Sequence, residues 1–318
     1  MGTAVQWDER IGRRLKLRDL HIFMTVAQQG SMGRAAKHLA VSQPVVSKAI
    51  SDLERTLKVR LVDRTMKGVE PTAYGTALLR RGTIVFDELG HSVKEIEFLT
   101  DPTAGEVQIA SLESLNSSFL PAVIDLLSGK FPRLTFHVLS IPAPTTQHLE
   151  VLHERTVDLA VTYLTPPFEH DDLTAEFLCS DAMMVVAARD SKWARRRKIE
   201  LAELVDEPWC LPVKEAFAAT AMARAFRERG VAPPRNFVTT DSSQLRNALM
   251  ATGRVLGFRT RTALRLSGKH SVLKAVPVDL HIPLGSVGIV RLKNRTLNPA
   301  AELFIEYARQ LAKQLSAT

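Results

Sequence analysis

Residues 42 to 48 crowd the hydroxyls of Ser42 and Ser47, the amide of Gln43 and the ammonium of Lys48 around Pro44. Such groups can form hydrogen bonds outward. A glutamine amide can pair bidentately with the edge of adenine, and a lysine can reach guanine or a phosphate. Ser42 is placed to cap a helix, and Pro44 fits its first turn, where the N–H groups have no intrahelical acceptor. From there Val46, Ala49, Ile50, Leu53 and Leu57 recur at helical spacing and predict a buried stripe. Gln43, Pro44, Ser47, Lys48, Ser51 and Arg55 fall on the other side.

Two earlier helices must brace this one. Leu20, Phe23, Met24 and Ala27 predict a helix over Leu17–Gln28, stopped by Gly30. Ser31 can cap a second helix, Met32–Leu39, whose Ala35 and Ala36 would let a neighbour approach closely. The join across Leu39-Ala40-Val41 has almost no room for a loop. A helix-turn-helix has this layout, with the N-terminal side chains of its second helix aimed at the major groove. A small helical bundle with a solvated polar face has the same pattern, so the helix pair alone favours neither. The stretch VRLVDRTMKGVEPT adds two short strands around Met66-Lys67-Gly68, with Arg60, Arg64 and Lys67 near the turn. A basic hairpin wing supplies phosphate contacts, and the combination points to a winged helix-turn-helix.

The chain has 318 residues, more than one core usually holds, which predicts two or three domains. With 45% hydrophobic and 24% charged residues it matches ordinary globular composition. Apolar runs such as Ala182–Ala188 are too short to span a bilayer, and the N-terminus carries no secretory apolar stretch. Cys179 and Cys210 make no CxxC pair; with no disulfide framework they suit a cytoplasmic location as buried small side chains. Net charge is +8, and residues 1–70 hold thirteen cations against seven anions. That concentration suits a polyanionic partner.

The segment from Leu17 to Gly75 resembles the DNA-binding domain of LysR-type transcriptional regulators. It carries L-x-x-F from Leu20, G-S-x-x-x-A-A-x-x-L from Gly30, V-S-Q-P-x-V-S-x-x-I from Val41, L-E-x-x-L-x-V-x-L-x-x-R from Leu53 and P-T-x-x-G from Pro71. The resemblance implies DNA contacts at Arg34, Ser42, Gln43, Pro44, Ser47, Lys48 and Arg64, to which the wing adds Lys67. Residues 1–14 form a long basic extension expected to lie outside the folded domain. Val62 replaces the phenylalanine usual in the wing.

A single helical pattern follows from Pro71 to about Thr100. Leu78, Val85, Leu89, Ile96 and Leu99 form a heptad-like seam with no core of its own, while Gly82 and Gly90 weaken the helix. In the family this linker helix forms the dimer. Domains are expected at 15–72 (winged helix-turn-helix), 73–100 (linker and dimerisation helix) and 105–318 (effector binding).

Beyond the linker, strands and helices alternate: Val107–Ala110, Ser118–Leu127, Thr135–Leu139, Thr146–Glu154 and Leu159–Tyr163, a rhythm that implies a parallel sheet. Pro166-Pro167 marks a break. Strand Met183–Ala187, helix Thr220–Arg229, strand Asn236–Thr239, helix Ser243–Met250 and strand Val255–Phe258 form a second set. Strand Val287–Leu292 and a helix capped by Asn298-Pro299 close the chain. The fold class is thus multidomain, an all-α winged helix-turn-helix domain plus linker helix and a bilobed α/β effector domain. That domain resembles the type 2 periplasmic-binding-protein-like domain of LysR-type regulators, with lobe I at 105–166 and 293–318 and lobe II at 167–292. Ligands of such folds lie at the carboxyl ends of strands. Ser111, Ser114, Asn116 and Ser117, in the loop after the first strand, are therefore effector candidates, with Thr162 and Tyr163 behind them. The same serines could act only as caps. Glu113 opposes a strongly anionic ligand unless it points away. Arg259 and Arg261 could clamp an anion, but surface charge is the simpler expectation; Arg195–Lys198 is expected to be a solvated face.

His148, Glu150, His153 and Glu154 lack the HExxH spacing of a zinc site. No GxSxG, P-loop or GxGxxG occurs, so neither a catalytic nor a metal site is expected, and no cofactor. A free-standing solute-binding protein leaves the basic N-terminus unexplained, and a nucleoid-type architectural protein leaves the bilobed sensor unexplained. The sequence therefore predicts a transcription factor acting as a homodimer or dimer of dimers on a promoter or operator with an inverted repeat. A small-molecule co-inducer would modulate it, and RNA polymerase would be a further partner. No membrane contact is expected.

Overall fold

The computed structural model describes residues 14–65, 68–141, 146–213, 217–234, 236–268, 271–280 and 282–316. The N-terminal extension and Lys67 fall outside these residues, as does the side chain of His148. The chain forms two compact units, 1–90 and 91–318.

In the first unit α1 (Leu17–Gln29), α2 (Met32–His38) and α3 (Gln43–Leu57) enclose one core. Phe23, Val26, Ala35 and Val46 are fully buried there, joined by Ala49, Ile50 and Leu53. Gly30 ends α1 in a left-handed conformation, φ 61°. The α2–α3 join closes with Ala40 at φ 52°, uncommon for a residue with a Cβ, and with the Val41 N–H donating to the Ala36 carbonyl at 3.0 Å. Strands β1 (Val62–Thr65) and β2 (Gly68–Pro71) pair antiparallel as the wing, so this domain is not purely helical.

Several of the quoted motif residues position the wing. Glu54 accepts from the Leu61 N–H at 2.7 Å and fixes the entry to β1. The Val69 N–H donates to the Gly30 carbonyl at 2.9 Å, tying β2 to the end of α1. The Thr72 hydroxyl donates to the Arg60 carbonyl at 2.7 Å and accepts from the Gly75 N–H at 3.0 Å. It thereby caps α4 (Ala73–Thr100), which starts two residues after the expected Pro71. A Cβ on Gly75 would stand 2.1 Å from the Leu61 carbonyl oxygen, so only glycine lets the helix pass the wing.

The second unit begins in the last turns of α4. Strand β3 (Ala104–Leu112), the turn α5 (Glu113–Asn116), α6 (Phe119–Ser128), β4 (Arg133–Ile141), α7 (Thr146–His153) and β5 (Leu159–Leu164) form a parallel set. After β6 (Leu173–Ala188) come β7 (Trp209–Leu211), α8 (Phe217–Glu228), β8 (Asn236–Thr239), α9 (Ser243–Ala251) and β9 (Leu256–Thr260), with β7, β8 and β9 again parallel. Then follow α10 (Arg261–Leu266), β10 (Leu273–Ala275), β11 (Ile282–Leu292) and α11 (Pro299–Ser316). The sheet order is β4-β3-β5-β11-β6-β9-β7-β8, with β10 on β6.

Strands β6 and β11 pair antiparallel from Leu173↔Leu292 to Met183↔Ile282 and join the two parallel sets. The expected strands Met183–Ala187 and Val287–Leu292 are only the C-terminal parts of β6 and β11, and beyond Met183 β6 pairs with β9 and β10. Glu176, Ser180 and Asp181 break the apolar run of β6, and its register against β11 shifts beside Asp181 and between Phe177 and Cys179. The expected lobe limits, 166/167 and 292/293, fall next to the ends of β5 and β11.

Asp158, 2% exposed, fastens the base of the unit. It accepts from the Gln108 N–H at 2.9 Å and the Asn298 amide at 3.1 Å, with Arg295 at 3.5 Å and His91 of α4 at 3.6 Å. Asn298 also caps α11 by accepting from the Ala301 N–H at 2.9 Å.

Gly75→Ala is expected to destabilise the first unit by about 1–3 kcal/mol, the usual cost of overpacking. Urea unfolding followed by circular dichroism checks it; an unchanged midpoint would show that the wing is not held against α4 at this point.

Candidate nucleic-acid interface and ligand cleft

The first unit presents one polar edge. Arg34, Ser42, Gln43, Pro44, Lys48 and Arg64 are exposed, and Ser47 is half-buried. Ser42 occupies the N-cap position of α3, but its side chain makes no cap bond, so its hydroxyl faces outward. The Met32 sulfur accepts from the Ser47 hydroxyl at 3.4 Å and lies 3.8 Å from an Arg64 nitrogen, so one buried side chain gathers residues from α2, α3 and β1. Gln43 lies beside Gly33, where a Cβ would be 3.9 Å from the amide oxygen, so the tip of α3 abuts α2. The edge therefore offers an amide, hydroxyls and cations on rigid supports. The proposed Lys67 contact lies outside the described residues.

In the second unit the carboxyl ends of β3, β4 and β5 lie together, with Leu112 opposite Ile141 and Ser111 opposite Val161. The carboxyl ends of β7, β8 and β9 belong to the other parallel set. Glu113 joins the two. Its carboxylate accepts from the Ser243 N–H at 2.9 Å and from the Ser243 hydroxyl, at the start of α9. Arg246 donates to that same hydroxyl at 3.1 Å and to the Thr240 carbonyl at 2.7 Å. The two strand-end faces thus meet across a carboxylate, a helix N-terminus and a guanidinium.

Burial pushes the Arg246 guanidinium below its usual value, an effect offset by Glu113, Cys210 and Asp241. Burial also lowers Arg259, and the like charge of Arg246 lowers it further. The Arg259 side chain has no hydrogen bond or ion pair among the described residues. Surface charge was the simpler expectation for it and is corrected: β9 continues through Thr260, so Arg259 lies inside a strand and is half-buried. Arg261 is half-buried as well, at the first position of α10.

The other ligand candidates divide. Ser111 belongs to β3 and is fully buried, its hydroxyl 3.5 Å from the Leu112 carbonyl. Residues 113–116 form a helical turn where a loop was expected. The Ser114 carbonyl accepts from the Ser117 hydroxyl at 3.1 Å and the Ser118 hydroxyl at 2.9 Å. Asn116 donates to Ser140 at 3.1 Å, while its buried carbonyl oxygen and the buried Thr162 hydroxyl have no partner among the described residues. Tyr163 lies in the core, its hydroxyl donating at 3.1 Å to buried Asp181; burial, then Asp181, raise its pKa well above the usual phenol value. Asp181 also accepts from the Ala182 N–H at 2.9 Å and the Thr262 N–H at 3.1 Å. Away from the cleft, His153 is exposed and pairs with Asp172.

Residues 17–76 match the family described as bacterial regulatory helix-turn-helix protein, lysR family, and residues 100–313 match the LysR substrate binding domain. The chain belongs to the LysR family. The HTH-type transcriptional regulator GbpR of Azospirillum brasilense is 28% identical over 91% of this chain and 84% of its own length. The dual regulator GltC of Bacillus subtilis is 27% identical over 95% of this chain and 99% of its own. In fold, the chain resembles full-length CbnR complexed with its target DNA, at TM-score 0.58 and 21% identity over 93% of this chain and 99% of that one. The LysR protein described here is a DNA-binding transcriptional regulator with an effector-binding domain.

Glu113, Ser243 and Arg246 carry the cleft, yet only Glu113 drew notice in the sequence, as an obstacle to an anion. The weak signal for the others was Ser243 and Arg246 one turn apart at the start of a helix that follows a strand.

Because Lys48 and Arg64 are exposed cations on the polar edge, Lys48→Ala and Arg64→Ala are each expected to lower operator affinity for all sequences alike. Each should also reduce the slope of log affinity against log salt by about 1. Fluorescence anisotropy across a salt series checks this, and an unchanged slope in both variants would remove them from the interface.

Proposed function

We propose that this chain acts as a homodimer, or a dimer of dimers, that reads an inverted-repeat operator and answers to a small molecule held between the lobes of residues 105–318. The observation that carries the reading is the exposed Ser42-Gln43-Pro44 tip with Lys48 on one side of α3, while Val46, Ala49, Ile50 and Leu53 are buried on the other. Gln43 and Ser47 are assigned to base edges, and Arg34, Lys48, Arg64 and Lys67 to phosphates or guanine. The protein works by binding, without catalysis or cofactor, in the cytoplasm, and RNA polymerase is a partner at the promoter. No described helix is long and apolar enough to cross a membrane.

Self-association is supported by α4. Val85, Leu89, Val93, Ile96 and Leu99 are exposed, from 40% at Val85 to 74% at Leu99. Apolar residues at this spacing on one long helix suit a second copy of the same helix. The dimer would set two recognition helices on successive half-sites.

Footprinting on DNA upstream of the protein's own gene tests the regulator: protection of two symmetric half-sites is expected, and uniform protection along the fragment would favour an architectural role. Ile96→Asp is expected to shift the protein to monomer in sedimentation and to lower operator affinity at least tenfold. A dimer unaffected by this change would place the seam elsewhere.

A further inference from the structure

A half-buried guanidinium without a carboxylate is unfavourable, because its lost hydration is not replaced. Arg259 is in this position near the carboxyl end of β9, the end of the parallel set from which α9 starts after β8, and the like charge of Arg246 acts on it. Arg246 is compensated by Glu113 and, less, by the exposed Asp241. Glu113 gives one carboxylate oxygen to the Ser243 N–H at 2.9 Å and the other to its hydroxyl, which accepts from Arg246 at 3.1 Å. A planar two-oxygen anion belonging to the chain therefore already engages the donors at the start of α9. Arg259 is left over.

We propose that Arg259, together with Arg246, forms a subsite for the carboxylate of a small organic acid, beside the donors that Glu113 holds. This assignment rests on the cleft being the effector site. Among the half-buried groups, two guanidinium groups and one glutamate leave a single positive charge, which one carboxylate neutralises, while the exposed Asp241 is screened by water. The planar fork of Arg259 matches a carboxylate bidentately, whereas a phosphate dianion would be repelled by Glu113. Glu113 would then hold the lobes together before the ligand arrives, and the ligand would complete the charge balance across the same contact.

The test is thermal unfolding of the full-length protein with acetate, benzoate, inorganic phosphate or neutral benzamide, at ionic strength matched with chloride. A carboxylate should raise the wild-type midpoint by about 2–4 °C, with no rise from benzamide and a smaller one from phosphate. Arg259→Gln should lose the rise, and Arg259→Lys, which keeps the charge but not the fork, should retain only part of it. Glu113→Gln should enlarge it, because a competing negative charge is gone. No rise with either carboxylate, or an equal rise in the wild type and in whichever Arg259 variant folds, overturns the subsite. Wild-type footprinting on the operator separates the failures. A protein that protects its operator yet ignores carboxylates loses only this proposal, and one that protects none loses the regulatory reading.

Discussion

Helix α3 can bury only one stripe, and everything the first unit does follows from which one. Val46, Ala49, Ile50 and Leu53 pack with Phe23 and with the methyl groups of Ala35 and Ala36. Short side chains on α2 let the helices meet closely, and dispersion between closely packed atoms makes that arrangement stable. The opposite edge, from Ser42 to Lys48, is then turned outward, with the Gln43 amide and the Lys48 ammonium exposed to an external partner and the Ser47 hydroxyl held by Met32. The Glu54 and Thr72 side chains and the Gly30 carbonyl hold the backbone of the wing by hydrogen bonds, so Arg64 is fixed by the same core.

The second unit meets a different constraint. Its two parallel sets share β6 and β11, so the strand pair is continuous while the strand-end faces remain separate surfaces. Polar contacts through Glu113, Ser243 and Arg246 join those faces. Such contacts depend on local charge, and a ligand that changes the charge there changes how firmly the faces are held. Any such effect on DNA affinity must be matched by an equal effect of DNA on ligand affinity.

The helix-turn-helix was readable because its logic is local: spacing, caps and the glycine stop lie within some sixty consecutive residues. Motif letters that read only as resemblance have structural reasons, since Glu54 fixes the wing and Gly75 makes room for Leu61. The strand order of the second unit was less readable. Asp181 interrupts the apolar pattern of β6 because it is buried with three hydrogen-bond donors, a state that no alternation of polar and apolar residues reveals. The cleft was hidden for a further reason. Glu113 and Ser243 stand 130 positions apart, and their contact exists only once both parallel sets have folded. Arg259 misled because its strand runs past the last apolar residue, Phe258.

The most direct test of the account is the binding of wild type and Gln43→Ala to operators that differ by single base pairs. The exposed tip of α3 predicts a loss of roughly 1–3 kcal/mol confined to one or two base pairs in each half-site, with the variant indifferent to the base there. Unchanged affinity together with unchanged base preference would contradict it.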